Sequence, residues 1–104
     1  MRVLKFGNRD IEIKFRPVDI RKFEKLVHKK LIYAIQEAPS IEEIAAFMVA
    51  GSGGEIKTID DAFDLFEKYE TGAYGIAKEI NGELLDTGWL GLVKDQEQDE
   101  EGKN

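Results

Sequence analysis

The sequence predicts an α+β, mainly α domain in which an N-terminal β-hairpin packs on a bundle of three to four helices. Three observations predict it: period-two alternation near the start, three apolar stripes at spacings of three and four, and a capping residue ahead of each stripe. With 104 residues, 42% of them apolar and 35% charged, one modest core is affordable and a second is not. A single globular domain is therefore expected over 1–93, followed by an acidic disordered tail over 94–104, where five acids and two lysines accompany no apolar side chain.

The hairpin comes first. Val3 and Lys5, then Ile11, Ile13 and Phe15, alternate with Glu12 and Lys14, and Gly7-Asn8-Arg9-Asp10 between them tolerate tight-turn dihedrals. Such a hairpin is marginal alone, so its apolar face needs the helices. Pro17 is expected to stop the second strand and Asp19 to cap a helix whose stripe runs Ile20, Phe23, Val27, Leu31, Ala34 and Ala38. Leu26 and Tyr33 form a second, narrower apolar line on that helix, and Ile32 lies off both lines.

Ser40 and Glu43 are spaced as a capping box for the next helix, and every residue from Ile44 to Ala50 is apolar. A short helix that is apolar all round belongs in a core or against a second chain. Gly51-Ser52-Gly53-Gly54 ends it. Thr58 then caps a third helix, with Asp60 and Asp61 in the first turn where the helix dipole favours them. Its stripe of Ile59, Ala62, Phe66, Tyr69, Ala73, Ala77 (with Ile76), Ile80 and Leu84 stays in phase across Gly72 and Gly75. A kink or short break is expected at those glycines, with a fourth helical piece reaching about Asp86.

Reactive chemistry is scarce. The chain has no cysteine and one histidine, so disulfides, thiolate sites and His clusters are excluded, and no cofactor or metal is expected. The loop from Gly51 to Thr58 has the length of a phosphate-binding loop, but Ile56 stands where such a loop needs glycine and a helix precedes it where a strand is required. Asp60, Asp61 and Asp64 lack the spacing of a calcium loop. No nucleophile stands in a triad arrangement with His28, so no enzyme is expected.

Charge is more telling. The net charge of −6 argues against general affinity for nucleic acid or anionic membranes. It is also unevenly spread: residues 14–30 hold seven Lys or Arg against two acids, and residues 37–70 hold nine acids against two lysines. A basic first helix (Arg21, Lys22, Lys25, Lys29, Lys30) leaves one alternative open, a small nucleic-acid-binding regulator. Met1–Phe6 lack the apolar core of a signal peptide and no later stretch is long enough to span a bilayer, which predicts a cytoplasmic protein. Near the end, Trp89, Leu90, Leu92 and Val93 bracket Gly91. Trp89 either folds back to close the core or stands out as an anchor for a partner.

Taken in order, the segments Glu12-Ile13-Lys14-Phe15-Arg16-Pro17, Asp19–Leu26, Pro39-Ser40-Ile41-Glu42-Glu43-Ile44 and Phe47-Met48-Val49-Ala50-Gly51 resemble the small tail assembly chaperones of long-tailed bacteriophages and gene transfer agents. The likeness covers roughly residues 3–70 and consists of patterns of residue type. It implies a non-enzymatic protein of the bacterial host cytoplasm that coats apolar helical stretches of the phage tape-measure protein until tail-tube subunits polymerise around them. Apolar side chains held on an acidic body suit that work, and Leu26, Ile32, Tyr33, Trp89, Leu90, Leu92 and Val93 are the candidates for partner contact. The all-apolar second helix and the segregated charge are also compatible with a homo-oligomer.

Overall fold

The computed structural model describes residues 1–92. The proposed 94–104 tail and Val93 lie outside them. Within the described residues the chain forms the expected mainly α, α+β fold: strands β1 (Arg2–Phe6) and β2 (Arg9–Ile13), then helices α1 (Pro17–Val27), α2 (Leu31–Gln36), α3 (Ile41–Gly51), α4 (Ile59–Phe66) and α5 (Gly72–Asp86). Five helices replace the anticipated three to four because the first apolar stripe is broken in two.

The strands pair antiparallel with Leu4 opposite Ile11 and Phe6 opposite Arg9, which leaves Gly7-Asn8 as a two-residue loop. Gly7 has a φ of 67°, the left-handed value that a II′ turn requires at its first loop position. The buried face is Leu4, Phe6, Ile11 and Ile13. The alternation in β1 thus runs through Leu4 and Phe6, while Val3 and Lys5 face outward. That corrects the face expected for the first strand: Ile11 and Ile13 of β2 are buried as their alternation predicts, and pairing with them selects Leu4 and Phe6.

Pro17 does not merely end a strand. It is the first residue of α1, a position where its missing N–H costs nothing. Arg16 is therefore the cap, and Asp19 sits three residues inside, where its carboxylate accepts from the Arg16 N–H (2.8 Å) and from Arg16 Nε (3.0 Å). α1 ends at His28, which adopts the left-handed conformation with φ 54°, and α2 starts three residues later. The turn is fastened from both sides. The Glu24 carboxylate accepts from the Leu31 N–H at 2.9 Å, and Lys29 Nζ lies 2.8 Å from Glu43 Oε2 at the start of α3.

α3 is the centre of the molecule, packed against α1, α4, α5 and β2. Its capping box forms as the spacing predicts: Ser40 Oγ accepts from the Glu43 N–H at 3.1 Å, and Glu43 Oε1 accepts from the Ser40 N–H at 2.9 Å. Every residue from Glu43 to Gly51 is buried, so the all-apolar run is core. Phe47 stacks on Phe23 with ring centroids 3.8 Å apart and meets Phe15 edge-on at 5.8 Å. At the end of α3, the Gly51 carbonyl accepts from the Lys14 N–H at 2.9 Å and joins the helix to the hairpin.

Thr58 caps α4 by accepting from the Asp61 N–H at 3.0 Å. The expected break falls at Glu67–Thr71, just ahead of the glycines, and α5 then runs through Gly75 to Asp86. Arg2 binds it to β1, with Nη1 2.8 Å from Glu79 Oε1 and Nη2 3.0 Å from Asp86 Oδ2. Among the described residues no helix is long and apolar enough to cross a membrane.

Candidate functional site: an apolar groove

Beyond α5 the chain turns back on itself. Thr87 Oγ1 donates to the Leu84 carbonyl at 3.2 Å, Gly88 takes φ 80°, and the Gly91 N–H reaches the Gly88 carbonyl at 3.1 Å. This tight return lays Trp89, Leu90 and Leu92 beside α1 and α2. Trp89 is fixed there by its indole N–H, which donates to the Phe15 carbonyl at 2.9 Å. The residue nevertheless remains 46% exposed. Trp89 thus ties the C-terminal turn to the hairpin while staying partly exposed to water.

The result is an apolar groove of about 410 Å³. Buried Ile20 of α1 and Leu31 of α2, with half-buried Ile35, form the floor; Ile32, Trp89, Leu90 and Leu92 also line it, as do the charged Glu24 and Lys30. Ile32 is 43% exposed. Four residues expected to touch a partner, namely Ile32, Trp89, Leu90 and Leu92, are therefore brought together although 57 positions separate Ile32 from Trp89. Two others are not. Tyr33, 52% exposed, does not line the groove, and Leu26, 40% exposed, lies on a different side of α1 beside Val18, Arg21, Lys22 and Lys25. Ile35, absent from the expected contacts, is half-buried in the floor; its spacing of three from Ile32 was the available signal.

The polar candidates of the sequence are placed elsewhere. Ser52 Oγ accepts from the Ile56 N–H at 2.9 Å, so the glycine-rich loop closes on its own backbone, and Ile56 is buried. His28 is exposed at the α1 terminus. Asp61 and Asp64 border a polar hollow with Arg9, Glu55 and Lys68, where Arg9 Nη2 is 3.7 Å from Glu55 Oε2. Among the described residues there is no group of three or more His, Cys, Asp or Glu side chains placed to hold a metal ion.

Two carboxylates that hold the helix starts and turns of this region are perturbed. Burial pushes the Glu43 carboxyl up, but hydrogen bonds from Lys29 Nζ and the Ser40 N–H outweigh it and hold the group below its ordinary range. Asp19 follows the same pattern: burial raises it, and the Arg16 side chain and backbone bring it down. Both groups are charged at neutral pH, one anchoring the start of α1 and the other bracing the α1–α2 turn against α3.

Comparison of the chain with protein-family models, with curated proteins and with solved structures finds no match.

Proposed function

We propose that this chain is a non-enzymatic phage or prophage tail assembly chaperone, which holds apolar helical stretches of the tape-measure protein in the groove between α1, α2 and the Trp89 turn. The observation that carries this reading is the convergence of Ile32, Trp89, Leu90 and Leu92 on one open apolar surface with charged residues at its rim. A helix laid in such a groove buries side chains at spacings of three and four, and the Trp89 ring supplies a rigid anchor. The resemblance over residues 3–70 supplies the partner. The assignment of partners, of the host cytoplasm and of a role without catalysis belongs to the same proposal.

Trp89 is the sole tryptophan and lines the groove, so its emission reports occupancy directly. Titration with a synthetic apolar helix from a tape-measure protein is expected to shift that emission to the blue. Replacing Ile32 and Leu90 by Ser keeps the reporter and is expected to weaken binding about tenfold or more, since central apolar contacts carry most of an interface's energy. Tyr33→Ser then measures whether contact extends past the rim. Unchanged emission together with unchanged capture by the double variant would remove the groove from the reading.

A further inference from the structure

The outer side of α1 bears a second surface, independent of the groove. Val18, Arg21, Lys22, Lys25 and Leu26 line one shallow depression, every one of them contributed by α1. At 100° per residue they share an arc of about 140°, opposite the buried side of Ile20, Phe23 and Val27. Two apolar side chains stand exposed in it, Val18 at 48% and Leu26 at 40%, about 12 Å apart along the axis at 1.5 Å per residue. Three cations lie between them. Among the described residues none of the three makes a hydrogen bond or ion pair, whereas Arg16 and Lys29, at either end of the same helix, are bound to Asp19 and Glu43.

We infer that this face docks an acidic amphipathic helix of another protein, one whose two apolar side chains, seven or eight positions apart, are separated by Asp or Glu. Charge complementarity selects the acids, since the charges of Arg21, Lys22 and Lys25 stand along the stripe without a close ion pair, Lys22 feeling Asp19 only at longer range. The flanking Val18 and Leu26 select a helix, because they offer apolar contact at the repeat of a helical ridge. A nucleic-acid strand fits poorly: its phosphates have no use for the two exposed apolar side chains, and a body of net charge −6 repels a polyanion while tolerating a short helix with a few acids. Apolar segments retained in the groove and an acidic helix on the outer face of α1 would then be held at the same time.

The test uses a labelled 18-residue designed helix with Leu at positions 5 and 12 and Glu at 8 and 9, followed by fluorescence anisotropy against the full chain. Binding is expected, weakening as salt rises. Lys22→Glu with Lys25→Glu should weaken it about tenfold, as attraction at two sites turns to repulsion. The matching peptide with Lys in place of Glu should bind that variant better than the parent. Ile32→Ser with Leu90→Ser should leave the affinity unchanged, which separates this face from the groove. The inference is overturned if the Lys peptide binds the parent chain equally well, or if the charge-reversed variant retains full affinity. It is equally overturned if a DNA or RNA oligonucleotide at low salt competes for these lysines more tightly than the peptide. Sedimentation showing a self-associated species that the same charge reversal dissolves would assign the face to a second copy and overturn the claim of a separate partner.

Discussion

Single residues decide more here than propensity suggests. Gly75 lies inside α5, where replacement by Ala ordinarily stabilises a helix by roughly 1 kcal/mol. A Cβ on Gly75, however, would overlap Thr71 Oγ1 and come 2.6 Å from Thr71 Cβ, and a rotamer change relieves only the first of these. Backbone has to move. Gly75→Ala is therefore expected to destabilise by about 1–3 kcal/mol in urea unfolding, the range for overpacking, and Thr71→Gly in the same chain should recover much of the loss. Asp19 and Glu43 each contribute stability that acid removes. Their ordinary values are 3.8 and 4.5, and both are lowered in the fold, so between the folded and ordinary values the unfolded chain binds more protons. Their contribution is fully present above about pH 4.5 and is lost as pH falls through the folded values. Asp19→Asn with Glu43→Gln should flatten the stability profile in that acid window and leave its slope near neutrality unchanged; an unflattened profile would show that other carboxylates set the acid limit.

Among the elements, those written in local chemistry were legible and those set by distant contacts were not. The Ser40–Glu43 box, the Thr58 cap and the end of α5 at Asp86 each follow from a few adjacent residues, and each forms where the spacing puts it. The break between α1 and α2 stayed hidden because Val27, Leu31 and Ala34 keep helical spacing across it, so the apolar phase carries no trace of the turn. What makes the turn is His28 in the left-handed region, held by bonds from the His28 and Lys29 N–H groups to the Glu24 carbonyl. A residue with a Cβ costs about 1–2 kcal/mol in that conformation, and glycine does not. His28→Gly is accordingly expected to stabilise the chain by about 1 kcal/mol and raise its melting temperature by about 4–8 °C. A fall in melting temperature would mean that the His28 side chain has a structural task of its own. The face of β1 is hidden in the sequence for a related reason: Val3-Leu4-Lys5-Phe6 offers an apolar residue in each phase, and only pairing with Ile11 and Ile13 chooses between them.

At the scale of the whole molecule, the groove depends on the core beneath it. Its residue types were visible in the sequence, but their convergence required the α1–α2 turn and the return of the chain at Gly88, neither of which leaves a periodic signal. The chain of contact is short: Phe47 packs on Phe23 and Phe15, the Phe15 carbonyl holds the Trp89 indole, and Trp89 lines the groove. Truncating Phe47 to Ala removes the centre of that arrangement and should cost about 3–5 kcal/mol, a large share of the roughly 5–15 kcal/mol that stabilises a domain of this size. Because Trp89 is tied to the core by this bond, its emission should follow the same thermal transition as the helical circular dichroism in the parent chain, and both should shift together in Phe47→Ala. Were the Trp89 transition to fall well below the helical one, the turn at Gly88 would be opening ahead of global unfolding, and the groove wall would be a separately melting unit. Coincident transitions instead make the apolar surface a property of the folded core, presented to a partner without prior rearrangement.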